Sequence, residues 1–367
     1  MDSKTINNIP MFFIMGSPRS GTSMLQQILD SNPNLMVPLE SQFMIALKKR
    51  HFKTKNWTKE KVDEFVDDLS KNEKLFFWGL DMATFRNDCH SIPLSEVSFR
   101  LLCKLVYLHF PSIYEKGEIQ IIGDKNPDYA MHIGSLLDIF PDAKVIHILR
   151  DYRANIVSNR KWFPRKKIMV IAQKWLLYNQ YIEKPKRKNP HLFYTIRYED
   201  LVENPEKYCK EICEFIGIDF ISEMLHFHSR ISDEKEKRGK DTLHVKLLDT
   251  LHANLVKPIN RDNVDSWKNE MTQEEMIIAD FVDGKFAKRY GYLKLTDVWS
   301  FRLFILSFLT RIRYQLDVLI IRTYFIFPFW TRPVFEFISE KLYDWFGIVH
   351  IYNVKYKMRK ENANQIK

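Results

Sequence analysis

With 367 residues the chain is long enough for two to three units of about 150 residues, or for one large α/β domain with additions. Apolar residues make up 45%, charged residues 28% and aromatics 14%, with 11 Gly and 15 Pro, which excludes a disordered, collagen-like or coiled-coil chain. Lys and Arg number 56 against 46 Asp and Glu, a net charge of +10 with a pI near 9.2, and this favours an anionic partner: a nucleotide, a nucleic acid or an anionic lipid surface.

The polar start MDSKTINNIP leads into MFFIM, an apolar run too short for the core of a signal peptide, so a cytoplasmic protein is expected. Met11 to Met15 reads as a buried strand followed by a helix from near Thr22, with further helices from near Ser41 and Ser95. Three more strands come after it, Ile119 to Ile122, Lys144 to Leu149 and Leu192 to Arg197, interleaved with helices from near Asp128, Asp151, Ile168 and Pro205. Each strand ends at a polar or Gly-containing turn and feeds a helix, the alternation that builds an α/β fold with a P-loop-like parallel sheet flanked by helices. TQEEM predicts one more helix, with Thr272 and Glu275 spaced as a capping box. The mixed-charge run from Ser229 to Thr242 reads as a solvated loop, or as a lid if it lies near an active site.

From Trp299 to about Tyr352 large apolar residues crowd together, broken by Arg302, Arg311, Arg313, Asp317 and Arg322. No uninterrupted apolar run reaches the ~18 residues of a transmembrane helix. At about 100° per residue Arg302, Arg313 and Asp317 share one side, and Arg311, Gln315 and Arg322 the opposite one. Such a helix packs onto the catalytic core or onto a second subunit in a homodimer, or it offers a peripheral membrane or lipid-acceptor surface. The expected layout is a catalytic domain over 1–295 and a helical, apolar and basic extension over 296–367.

Chemistry concentrates in two segments. In MFFIMGSPRSGTSMLQQILDSNP, Gly16 and Gly21 bound a tight turn between strand and helix, so that amides from Arg19 to Ser23 point inward at the positive end of the helix dipole. The spacing is G-x4-G-T-S, with Thr22 where a nucleoside triphosphatase needs its Lys, which disfavours an ordinary kinase or ATPase. Arg19 places the positive charge inside the loop instead. In AKVIHILRDYRANIVSNRKW, Arg150 ends a strand and Ser158 lies two turns into the next helix, so a guanidinium and a hydroxyl can clamp one phosphate. Taken alone, LRDYRA reads more readily as a surface helix start, with Asp151 as cap and Arg153 in solvent.

Together, GSPRSGTS and LRDYRANIVS resemble the two nucleotide-binding motifs of sulfotransferases that use 3′-phosphoadenosine 5′-phosphosulfate (PAPS), above all the branch containing tyrosylprotein sulfotransferases. LESQF at Leu39, GDKNP at Gly123, RYEDLVENP at Arg197 and VKPIN before Trp267 and Lys268 occur in the same order, so the resemblance spans roughly Met11 to Tyr292. It implies that the loop Ser17, Pro18, Arg19, Ser20, Gly21, Thr22 and Ser23 holds the 5′-phosphosulfate, with Arg19 near the transferred group. It implies Glu40 as general base, Lys125 as stabiliser of the sulfate and leaving group, Arg150 and Ser158 on the 3′-phosphate, Tyr198 near the nucleotide and Lys257 on its phosphates. The pattern departs at two places. The Ser-rich stretch before the KP motif is here DTLHVKLLDTLHANLV, and the basic residue a turn beyond the motif Ser is Trp162, with Arg160 as nearest substitute.

The chemistry asks for little more. Moving a sulfuryl group in line needs donor and acceptor held collinear, a base for the hydroxyl proton, and cations for the charge developing on the leaving phosphate. The transferred group carries one charge fewer than a γ-phosphate and no Walker-B-like acidic pair is visible, so no metal is expected. Apart from these motifs, PLESQF and GDKNP read as a helix N-terminus and a turn, and His132 or His147 are alternative bases, with His147 inside an apolar strand. His226 and His228 lack a third ligand. Cys89, Cys103, Cys209 and Cys213 are too few for a disulfide scaffold, and Cys209 and Cys213 read as buried thiols on a helix. Dispersed lysines and the lack of a recognition module argue against nucleic acid. The expected activity is transfer from PAPS to a hydroxyl acceptor, a lipid or sterol-like alcohol, a glycan or a peptide tyrosine. The competing readings are a P-loop kinase-like phosphotransferase and a nucleotide-binding protein of membrane surfaces.

Overall fold

The computed structural model describes residues 2–72, 74–162, 167–231, 253–324 and 334. Contacts divide the chain into two compact bodies, a larger one of residues 8–40 and 110–311 and a smaller one of residues 1–7, 41–109 and 312–367.

The larger body is built on a five-stranded sheet of β1 (Met11–Met15), β2 (Leu35–Met36), β3 (Ile121–Lys125), β4 (Lys144–Leu149) and β5 (Phe193–Arg197), in the order β2-β3-β1-β4-β5. Every pairing is parallel; Ile14, for instance, stands beside Lys125 on one side and Ile146 on the other. Parallel strands covered on both faces read as unbroken apolar runs, and β1 and β4 have the bounds expected from theirs. Alternation along β4 splits the core: Ile146 and Ile148 join Leu25, Ile28, Leu29, Ile196 and Ile212 in one cluster, while Leu149 joins Tyr152, Trp175 and Phe286 in another.

The third strand differs from its expectation. It begins at Ile121 and continues through Asp124 and Lys125, both buried, because partners distant in sequence satisfy them: Tyr129 Oη donates to Asp124 at 2.6 Å, and Lys125 meets a carboxylate described below. β2, inside the LMVPL segment, is only two residues long. Helices begin at Thr22, Tyr152, Ile168 and Pro205 as expected, and Thr272 closes a full capping box with Glu275. Near Asp128 the chain instead forms a 3-10 turn, Pro127–Met131, and then the Ile133–Ile139 helix, and a short unexpected helix, Tyr198–Glu203, comes directly after β5. Of the Ser229–Thr242 run only Ser229–Ile231, which is helical, lies among the described residues. Cys209 and Cys213 are buried free thiols on the Pro205–Ile216 helix.

In the smaller body the Phe43–His51 and Phe99–Leu108 helices begin two and four residues later than expected, and two unexpected helices, Lys59–Ser70 and Met82–Ser91, stand between them. Phe43, Trp78 and Tyr107 pack ring against ring, and buried Asp68 joins His51 to Arg50. The Phe301–Tyr324 helix opens the apolar C-terminal segment; most of the chain beyond Tyr324 lies outside the described residues. No described helix is long and apolar enough to cross a membrane.

Candidate active site

The strand order places β1 at the switch point of the sheet: β1 leads to β2 on one side, and the chain crosses to the other between β3 and β4. In open parallel sheets the crevice beyond the carboxyl ends at such a point is where ligands collect. Gly16–Gly21 leaves β1 there, Lys125 ends β3, Arg150 comes just after β4, Tyr198 just after β5, and Glu40 lies four residues past β2.

The loop can be made only with glycine at its two ends. A side chain at Gly16 would put its Cβ 2.3 Å from the Ile148 carbonyl, and Gly21 has φ of +93° with the Tyr198 ring 2.5 Å from where a Cβ would stand. Ser17, Ser20 and Thr22 are buried beneath the turn, and Gly21 opens the Thr22–Asp30 helix with no side chain capping its first amides. The Tyr152–Trp162 helix grips the loop from outside. Asn155 Nδ2 donates to the Pro18 carbonyl at 2.8 Å and to Ser20 Oγ at 3.2 Å, and Asn159 donates to the Pro18 carbonyl and to Asn155. Neither asparagine stands out in the sequence, although Asn155, Ser158 and Asn159 share a helix face by their spacing.

Two guanidinium groups meet at the loop. Arg19 Nε donates to Ser158 Oγ at 3.3 Å and its guanidinium lies 4.9 Å from the Trp162 ring centre. Arg150 Nη1 donates to the Arg19 carbonyl at 3.1 Å and Nη2 to the Asn263 carbonyl at 2.6 Å, and its guanidinium lies 4.7 Å from the Tyr198 ring centre. Burial, then the Arg150 charge, lowers the Arg19 pKa from its ordinary value, with Glu40 acting the other way. Among the described residues neither arginine has a carboxylate at ion-pair distance, and the buried Arg150 Nε has no hydrogen-bond acceptor. Two guanidinium groups without a carboxylate, one with a buried donor left over, fit an anion with several oxygens, as a nucleotide phosphate supplies.

Two readings of this segment change. Arg160 donates to Glu275 at 2.6 Å and to the Glu270 carbonyl, so it is committed to the Trp267–Glu270 and Gln273–Ala287 helices; Trp162 stacks on Arg19. Asp151 does cap, accepting from the Arg153 amide, but Arg153 is buried, paired with Asp151 and held against the Tyr152 and Trp267 rings rather than in solvent.

At the other end of the loop Lys125 Nζ lies 2.6 Å from Glu40 Oε1 and donates to Ser23 Oγ at 3.1 Å. The lysine is 2% exposed and the glutamate 34%, so the carboxylate fronts the solvent side of the pair. No local pattern announces the neighbours of this pair, which arise in the Ile168–Lys186 helix. Tyr178 Oη donates to Asp128 at 2.5 Å, and the Lys174 ammonium lies 5.2 Å from the Tyr178 ring centre. Burial lowers the Lys174 pKa, while Asp128 and Glu40 oppose that shift.

The structure thus brings together Ser17, Pro18, Arg19, Ser20, Gly21, Ser158, Arg150 and Tyr198 at one end and Ser23, Lys125 and Glu40 at the other. Lys257 is exposed, and Asn263, six residues on, is the residue that ties this part of the chain to Arg150. His147 is buried in β4, paired with Asn179 at 2.9 Å, and burial pushes its pKa down to about 4, so it belongs to the core. His132 is buried at the start of the Ile133–Ile139 helix.

A model of the sulfotransferase family matches residues 10–222. That span holds the Gly16–Gly21 loop, Arg150, Ser158, Tyr198 and the Lys125–Glu40 pair, and stops short of Lys257 and Asn263. Protein-tyrosine sulfotransferase 1 of Danio rerio is 25% identical over 275 residues, 71% of this chain and 66% of that protein. Omega-hydroxy-beta-dihydromenaquinone-9 sulfotransferase Stf3 of Mycobacterium tuberculosis (strain CDC 1551 / Oshkosh) is 24% identical over 330 residues, 79% of this chain and 77% of that protein. Among solved structures, the sulfotransferase domain from the Synechococcus PCC 7002 olefin synthase superposes with a TM-score of 0.48 at 21% identity, covering 79% of this chain and 96% of that one.

Proposed function

Because the chain belongs to the sulfotransferase family, we propose that it moves a sulfuryl group from PAPS to a hydroxyl acceptor with Glu40 as the base. The observation that carries this reading is the Lys125–Glu40 pair, a carboxylate and an ammonium 2.6 Å apart beside the anion-binding loop. The acceptor oxygen forms its bond to sulfur as the bond from sulfur to the 5′-phosphate oxygen breaks, the hydroxyl proton passes to Glu40, and adenosine 3′,5′-bisphosphate leaves. Lys125 orients the carboxylate and, with the loop amides and Arg19, offsets the charge that grows on the leaving phosphate. Arg150 and Ser158 hold the 3′-phosphate, Tyr198 lies beside the nucleotide, and Lys257 reaches its phosphates from the exposed segment.

Thr22 in place of a phosphate-binding Lys supports this reading over a kinase-like one. The two relatives are named for unlike acceptors, a protein tyrosine and an omega-hydroxylated menaquinone, so the acceptor we assign is a hydroxyl on a lipid-like alcohol, a glycan or a peptide. Labelled sulfate from PAPS, incubated with fractionated extract and either wild-type chain or Glu40→Ala, tests the reading. Label reaches a product with the wild type alone. Label in the organic phase identifies a lipid acceptor and label in protein a tyrosine; equal transfer by both chains overturns the assignment of Glu40.

A further inference from the structure

The first half of the Phe301–Tyr324 helix packs within the larger body. Gln173 Nε2 donates to Ser307 Oγ at 2.7 Å and to the Ser307 carbonyl at 3.3 Å, Arg311 donates to Gln180 at 3.3 Å, and Leu303 packs on the cluster of Tyr152, Trp175 and Phe286. The face turned away from these contacts is apolar and open to solvent. Phe301, Phe304, Phe308 and Leu309 on the helix and Trp299 just before it are all more than half exposed, between 51% and 71%, and the Phe304 and Phe308 rings stack 6.4 Å apart. An exposed stripe of this size marks an interaction site.

Charge decides what it fits. At about 100° per residue Arg302 and Arg311 fall on opposite margins of the stripe, with Phe301, Phe304, Ile305 and Phe308 between them. From Val298 to Leu316 the sequence carries Arg302, Arg311 and Arg313 and no acidic residue. Arginines at both margins of an aromatic and aliphatic face can lay their stems along the apolar surface while the guanidinium groups reach outward to anions at its rim. A buried protein interface has no such need of cations on both sides. The helix is not apolar enough to span a bilayer, which leaves the in-plane orientation.

We propose that this face seats the protein in the plane of an anionic lipid bilayer, with Trp299, Phe301, Phe304, Phe308 and Leu309 in the acyl boundary and Arg302 and Arg311 on the phosphates. The proposal stands apart from the transfer reaction, and its test reads lipid binding alone. The full chain is sedimented with phosphatidylcholine vesicles, with and without phosphatidylglycerol, over a range of salt. Binding to the anionic vesicles is expected, weakening with salt. Phe304→Glu with Phe308→Glu lowers it at least tenfold, with circular dichroism reporting the fold. Arg302→Gln and Arg311→Gln, which leave the apolar stripe in place, each lower it about fivefold on anionic vesicles and leave binding to the neutral ones unchanged. Failure of the wild type to bind anionic vesicles overturns the proposal, as does wild-type binding by both the Glu and the Gln variants. So does a dimer in sedimentation equilibrium that the Phe304→Glu, Phe308→Glu chain converts to monomer, since the stripe is then a subunit contact.

Discussion

Lys125, the last residue of β3, and Glu40, four residues beyond β2, form an ion pair of 2.6 Å in which the lysine is buried and the glutamate fronts the solvent. The adjacency of β2 and β3 in the sheet makes this meeting possible, although 85 residues separate the two in the chain. Removing the cation leaves a partly exposed carboxylate that water can solvate, so the cost to folding stays small, whereas its cost to the reaction does not. Lys125→Met is expected to lower turnover by about a hundredfold or more while shifting the thermal midpoint by only a few degrees. Paired steady-state kinetics and calorimetric melting check it; a large loss of stability with near-normal turnover in the folded fraction would make the pair structural.

Arg150 has a different task. Its guanidinium has a buried Nε without an acceptor among the described residues, and it rests on Tyr198. Arg150→Ala is expected to weaken adenosine 3′,5′-bisphosphate binding by about ten- to a hundredfold, the worth of charge-assisted hydrogen bonds. Arg150→Lys recovers little of it, because one ammonium cannot reproduce a planar fork that also stacks on a ring. Titration calorimetry of both variants is the check.

Gly21 tests the geometry of the loop itself. With φ at +93° and the Tyr198 ring in the way, Gly21→Ala meets both backbone strain and a clash. The expected cost is at least about 1 kcal/mol, or about 2–4 °C in thermal midpoint, together with weaker nucleotide binding. Gly217 also has a positive φ but nothing near its Cβ position, so Gly217→Ala loses stability and keeps nucleotide affinity.

Asp283, on the Gln273–Ala287 helix, gives a pH dependence. Its carboxyl is buried with neither oxygen hydrogen-bonded among the described residues, and burial first, then Asp151 and Asp280, raises its pKa well above the ordinary value. The folded state therefore keeps this proton to higher pH than the unfolded chain does. The contribution to stability is whole below the ordinary carboxyl pKa of about 3.9 and is lost as pH rises toward the folded value. Asp283→Asn is expected to be more stable than wild type near pH 8, with the difference closing toward pH 4, as chemical denaturation at each pH would show.

Local sequence carries some of this architecture and long-range pairing the rest. β1 and β4 are legible because strands buried on both faces need apolar residues at every position. The end of β3 is not, because Asp124 and Lys125 become tolerable in a core only when Tyr129, Ser23 and Glu40 arrive to satisfy them. The Lys59–Ser70 helix does carry a signature, a Thr58 cap and Val62, Phe65, Val66 and Leu69 at helical spacing. In the site, the loop and Arg150 are legible as anion-binding chemistry at strand ends. Lys174 is not, since only the packing of the Ile168–Lys186 helix beside the Pro127–Met131 turn places it between the charges of Asp128 and Glu40. Arg160, the nearest basic substitute in the sequence, is held by a carboxylate over a hundred residues away, a pairing no local pattern shows.

The proposed function rests on the β1 loop and Arg150 closing on one adenosine nucleotide phosphorylated at both its 3′ and 5′ positions. Titration calorimetry of the purified chain against adenosine 3′,5′-bisphosphate, and separately against magnesium-ATP, tests it most directly. Saturable one-to-one heat from the bisphosphate and none from the triphosphate is the expected result. Binding of magnesium-ATP with no heat from the bisphosphate would contradict it.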